Sequence, residues 1–275
     1  MKKIIVLTLV IATCLSLCVG FTSCSCEHKA NANGYDFDDT NHWFVCESCE
    51  EPFDVVAHTF GETERIVNGT HKKTCTVCNK IVEVTFNTEV TEAQFETIDL
   101  GENYVLNAEM RASMGDTRQE VSVARQSGIF CRENIEWKGN TPTHTAMFAE
   151  FVEGGAYKYD VTLNSNGDIT KCTKSDMNQG TLAEFAAAMQ KTMIDEDLLD
   201  FSLYTYDAED GVYVANAAIG SYKDVKLGFE EGKLATIEYK LSMPNPDNPY
   251  YMIDYTCKYD IYYGRAALTI PTVTE

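Results

Sequence analysis

The chain is short of basic residues, of histidine and of proline. Only 22 of its 275 residues are Lys or Arg against 42 Asp or Glu, a formal charge of -20. Nucleic acid and anionic membrane surfaces reward clustered cations through counterion release, so charge argues against both as partners. Of six prolines, half fall in the stretch Pro244-Asn-Pro246-Asp-Asn-Pro249, a loop expected to interrupt the last hairpin. Of five histidines, only His144 lies beyond residue 80, in a Thr-rich stretch that could begin a strand. A lone histidine there is more often a structural residue than a base, and no catalytic constellation emerges. Glu50 and Asn79 stand where a C-x-x-C-H haem attachment needs histidine. There is also no H-x-E or P-C-x-x-C of a zinc deaminase. Wholesale disorder is excluded by a 44% hydrophobic content, and the length fits one large domain or an ordinary one plus a small module.

What is present begins with an export signal. Lys2 and Lys3 precede an uncharged, mostly apolar run from Ile4 to Gly20, the layout of a secretory leader. The run is near the lower length limit for a membrane-spanning helix, so a retained anchor is the competing reading. Phe21-Thr22-Ser23-Cys24 places small residues before a cysteine and resembles the lipobox of bacterial lipoproteins. That resemblance implies that residues 1–23 are removed, that Cys24 is diacylated, and that the mature chain is lipid-anchored on the extracytoplasmic face of the cell membrane. Cys14 and Cys18 would leave with the signal.

Residues 24–80 hold the most specific pattern. His42-Trp-Phe-Val-Cys46-Glu-Ser-Cys49 and His71-Lys-Lys-Thr-Cys75-Thr-Val-Cys78 both read H-x3-C-x2-C and lie 29 residues apart. Each has a second histidine upstream, His28 and His58, so four of the five histidines occupy corresponding places in a tandem duplication. Two thiolates on a C-x2-C knuckle with two imidazoles make the ligand set of a closed structural Zn2+ site. The expectation is two zinc ions, one held by His28, His42, Cys46 and Cys49 and the other by His58, His71, Cys75 and Cys78. A module of this size buries too little apolar surface to fold unaided, so the metal would supply the free energy. Disulfides are the main alternative in an exported chain, and one all-thiolate site built from both knuckles is another. Thioredoxin-like redox chemistry is disfavoured, because neither C-x-x-C opens a helix after a strand. His42-Trp43 and His58-Thr59-Phe60 resemble parts of the Cys/His zinc-ribbon-like repeats of surface proteins in Gram-positive anaerobes. Such a likeness implies a metal-stabilised spacer or interaction module.

From residue 81 to 275 the composition turns to Tyr, Phe, Met and Val. Val90-Thr91-Glu-Ala-Gln94-Phe95 and Gly180-Thr181-Leu-Ala-Glu184 are capping boxes, the second opening an amphipathic helix with Leu182, Phe185, Ala186, Met189 and Met193 on one stripe. Period-two alternation predicts strands over 104–110, 120–125, 145–151, 157–163, 168–172, 201–206, 212–216, 224–229, 234–241 and 251–263. The expected fold is α+β: a large curved antiparallel sheet, a half-barrel, with one main helix packed on a face. Gly232-Lys-Leu-Ala-Thr-Ile-Glu-Tyr239 and Tyr263-Gly264-Arg-Ala-Ala-Leu-Thr-Ile-Pro271 resemble closing strands of LolA/LppX-like lipoproteins, which implies a cavity for acyl chains. Cys131, Cys172 and Cys257 read as buried thiols, or as a pair and one left over.

The functional expectation is a non-enzymatic, zinc-binding surface lipoprotein whose β-rich domain binds an apolar ligand or surface polymer. A lipid carrier and a carboxylate-dependent hydrolase are the alternatives.

Overall fold

The structure, a computed structural model, describes residues 26–114, 117–177, 180–245 and 248–274. The export signal and Cys24 lie outside these residues. The chain divides into two compact units, one from residues 1–64 with 72–84, the other from 65–71 with 85–275. The tip of one hairpin, residues 65–71, groups with the second unit.

Unit one is built on two three-stranded antiparallel sheets of matching design. β1 (Ala30–Phe37), β2 (Asn41–Cys46) and β3 (Pro52–Ala57) form one; β4 (Phe60–Val67), β5 (Thr70–Cys75) and β6 (Ile81–Thr85) form the other, its β4–β5 tip belonging to unit two. β2 and β5 run down the middle of their sheets with the same burial pattern, His42 and Cys46 buried in one, His71 and Cys75 in the other. After each knuckle the chain turns in the same way. Glu50 and Asn79 adopt left-handed φ of 58° and 61°, and their N–H groups donate to the carbonyls of Cys46 and Cys75 at 2.9 and 3.1 Å. The duplication seen in sequence is thus a duplication of backbone.

Unit two is organised by one eleven-stranded antiparallel sheet, curved and open, not closed into a barrel. Its order is β12-β11-β10-β9-β8-β7-β17-β16-β15-β14-β13. The chain enters near the middle at β7 (Asn103–Ala112) and meanders outward through β8 (Arg118–Gln126), β9 (Ile129–Lys138), β10 (Thr141–Val152), β11 (Gly155–Leu163) and β12 (Ile169–Asp176). It then passes through a helix, here α2 (Leu182–Met193), to the opposite edge. From there it meanders back through β13 (Tyr204–Asp207), β14 (Val212–Ala215), β15 (Tyr222–Glu230), β16 (Lys233–Asn245) and β17 (Asn248–Tyr263), which pairs with β7. Two meanders thus share one central seam, and every pairing is hairpin-local except β17 with β7.

Alternation sorts the faces. Tyr104 and Leu106 on β7 stand opposite Tyr263 and Ile261 on β17, and Leu106 opposite Val123 on β8. With Leu227, Phe229 and Ile237 they form the main core. A short helix, α1 (Glu92–Glu96), inserts Phe95 among Phe201, Tyr204, Tyr213 and Phe229 at ring separations of 5.0–5.3 Å. The main helix lays Phe185 on Phe130 and Phe151 at 5.1 and 5.3 Å and buries Met189. Both capping boxes are formed as expected, at Thr91/Gln94 and Thr181/Glu184. The opposite face carries a smaller cluster, Tyr159, Val161 and Cys172, covered by the terminal segment through Ile270 and a Thr274 N–H to Cys172 O bond of 3.0 Å.

Three expectations change. Strand β9 was not expected: Glu133 interrupts the apolar alternation of Ile129, Cys131, Ile135 and Trp137, and Phe130, which the core buries, stands on the other face among polar residues. The stretch at 201–206 opens as a 3-10 turn (Phe201–Leu203) before β13 begins, because Asp200 accepts from the Ser202 N–H and caps it. The proline-rich stretch does not end the hairpin early; Pro244 pairs with Met252 within it. Cys131, Cys172 and Cys257 are thiols. Burial pushes Cys131 up to about 12 and Cys257 up to about 11, so both remain inert and protonated.

Candidate metal centre

Two groups of four ligand atoms converge in unit one. The first is Cys26, His28, Cys46 and Cys49; the second is His42, His58, Cys75 and Cys78; within each, every ligand atom lies within 4.8 Å of the others. In the first, Cys26 Sγ is 3.3 Å from Cys49 Sγ and 3.6 Å from Cys46 Sγ, and His28 Nδ1 is 3.7 Å from Cys49 Sγ. In the second, His58 Nδ1 is 3.4 Å from Cys78 Sγ and His42 Nδ1 is 4.0 Å from Cys75 Sγ. The edges of a zinc tetrahedron with N and S ligands are about 3.5–3.8 Å, so both sets fit such an ion.

The grouping differs from the self-contained repeats expected from sequence. His42 serves the second knuckle, Cys26 joins the first, and His71 belongs to neither. Strand geometry explains why. His42 and Cys46 share one face of β2, but four residues of strand span roughly 13 Å at about 3.3 Å each, far beyond the reach of one ion. The histidine of H-x3-C-x2-C therefore sits at the far end of its strand from its own cysteines. His42 is lent forward to the Cys75/Cys78 knuckle, and the first knuckle, with no preceding repeat to supply a histidine, takes Cys26. Cys26 was detectable in principle: it stands two residues before His28, the nearest remaining thiol on that side.

His71 shows what happens at the other end. With no third knuckle to receive it, its ring is buried against Phe86 at 4.8 Å and its Nε2 lies 2.8 Å from Glu230 Oε1. Arg65 forks onto the same carboxylate at 2.9 and 3.1 Å and onto Asp260 at 2.9 Å. Burial raises the Glu230 carboxyl, but Arg65 above all, with His71 and the Gly69 N–H, outweighs it and leaves the group below its ordinary range.

The local electrostatics suit metal binding. Backbone N–H groups of Ser48 and Cys49 aim at Cys46 Sγ and hold that thiol down to about 5. Burial opposes ionisation of Cys75, yet the N–H groups of Cys78 and Val77 and the His58 ring bring it to about 6. Cys78 is pushed up, first by burial and then by the neighbouring Cys75. Each knuckle thus offers one preformed thiolate. The His58 Nε2 lies 3.1 Å from the Asp38 carbonyl, so this nitrogen donates its proton there and leaves Nδ1 facing the thiolates. His28 stacks on Phe53 at 5.1 Å, which orients its ring.

Outside this unit, His144 Nε2 pairs with Glu133 Oε1 at 2.6 Å across β10 and β9. No known family, curated protein or solved structure matches the chain.

Proposed function

We propose that the protein is an exported, lipid-anchored, non-enzymatic surface protein in which a two-zinc module precedes a β-rich unit that binds a ligand or partner. One observation carries the zinc reading. Among the described residues of unit one, the only buried side chains are His42, Cys46 and Cys75, and all three are ligands. A unit with no apolar interior needs the metal–ligand bonds to fold. The anchor and the export signal rest on Phe21-Thr22-Ser23-Cys24 and the apolar run before it.

The zinc would be structural. Four protein ligands per ion leave no position open for water or substrate, so the chain's residues hold the ion and shield it. The absence of an enzymatic role is supported by how the carboxylates of the open sheet face are used. A groove of about 420 Å³ there is lined by Glu109, Glu120, Glu133 and Asp260. Glu109 and Glu120 both pair with Arg118, Glu133 with His144, and Asp260 with Arg65. Carboxylates committed in this way are poorly placed for acid–base work. The carrier alternative is less favoured, because Phe130, Phe185 and Met189 fill the space beneath α2 where acyl chains would lie.

Elemental analysis of the purified mature chain should return close to two zinc ions, and one or none would sink the module. Cys24→Ser should move the protein from the membrane to the soluble fraction; unchanged fractionation would remove the anchor.

A further inference from the structure

The two sites are not equivalent. The first offers three thiolates and one imidazole, the second two of each. With a divalent ion the first carries a charge of minus one and the second none, and sulfur-rich sets prefer softer ions. Exposure differs in the same direction. The first site has His28 exposed, Cys26 and Cys49 half-buried and Cys46 buried, whereas the second has His58 and Cys78 half-buried, His42 and Cys75 buried, and no exposed ligand. So does the attachment of the ligands. Cys26 and His28 both come from the segment preceding β1, outside any strand, so one local opening releases half of the ligand set. The second site draws on β2, the β3–β4 connection, the end of β5 and the turn after it, and no single opening frees two of its histidines.

We infer that the first site is an exchangeable site for soft, thiophilic metal ions, while the second is a permanent cross-link between the repeats. This rests on the reading of both clusters as zinc sites. Exchange replaces one divalent ion by another, so no proton or electron changes hands. A surface protein so built keeps its fold through the second ion while the first reports or buffers thiophilic metal outside the cell.

The test uses the full mature chain loaded with zinc and titrated with cadmium ion, with native mass spectrometry reading which ions each molecule holds. The expected result is a mixed one-zinc, one-cadmium species formed roughly tenfold faster than the two-cadmium species, because Cys26 and His28 leave together in one local opening. Cys26→His keeps four ligands at the first site but removes its extra thiolate; it should hold two zinc ions and lose the preference for a single exchange. His42→Ala should hold one zinc, and that zinc should exchange at the fast rate. Simultaneous exchange of both ions, or fast single exchange surviving in Cys26→His, overturns the inference while leaving the zinc module standing. A chain that binds no zinc before cadmium is added overturns both.

Discussion

At the scale of single residues, His42 and His71 are the instructive pair. They occupy the same place in the repeat and have the same burial in their strands, yet one faces two thiolates and the other a carboxylate. His42→Ala should therefore reduce bound zinc from two to one, while His71→Ala should leave both ions and destabilise unit two by about 1–3 kcal/mol, through the lost bond to Glu230, a carboxylate that keeps Arg65 and the Gly69 N–H. Metal content and a denaturant curve on each variant separate these outcomes, and a lost zinc in His71→Ala would contradict the lending of histidines between repeats. The thiols set the pH dependence. A thiol brought down from an ordinary value near 9 to about 5 or 6 contributes its full stabilisation above pH 9 and loses it as pH falls through its folded value. Protons should thus compete with zinc increasingly below about pH 6, where Cys75 and then Cys46 protonate. Competition against a chromophoric chelator between pH 7.5 and about 5 checks this, and an affinity flat across that range would refute it.

At the scale of elements, the knuckle turn constrains the residue that follows it. The residue after each second cysteine is left-handed so that its N–H can return to the first cysteine's carbonyl. Asn79 tolerates that conformation, but Glu50 has no such ease. Glu50→Gly should stabilise the zinc-loaded unit one by about 0.5–1 kcal/mol, read as a higher chelator concentration at half-unfolding. No gain would mean that the Glu50 side chain has compensating contacts. The same scale shows what was legible in sequence. The capping boxes at Thr91 and Thr181 predict helix starts because a side chain and a backbone amide three residues apart satisfy each other without help from elsewhere. Strands with one apolar face, such as β7 and β11, declare themselves by alternation. Strand β9 does so less clearly, because Glu133 breaks its apolar side and its buried Phe130 stands on the other face, between β8 and β10. Strands β1 to β6 are silent: they enclose ligands and not an apolar core, so there was no apolar period to read.

At the scale of the whole molecule, two units of different physical origin share one chain. Unit two has a continuous apolar core beneath α1 and α2, whereas the described residues of unit one bury only members of the two Cys/His clusters. Chelation should therefore unfold unit one and leave the eleven-stranded sheet intact. Amide hydrogen exchange after EDTA treatment should show lost protection over β1 to β3 and retained protection over β7 and β15 to β17. Global loss of protection would show that the units are not separable.

The sequence by itself determined that there are two knuckles, that they are duplicated and that a β-rich region follows. These are properties of composition and local spacing. Only the tertiary structure decided which histidine stands beside which knuckle, that Cys26 joins a cluster and that His71 joins neither, and that the large sheet stays open. The physical reason is reach. A strand carries its ends too far apart for one ion, so the clusters are assembled across repeats, and spacing along the chain marks the two knuckles without recording which residues meet them.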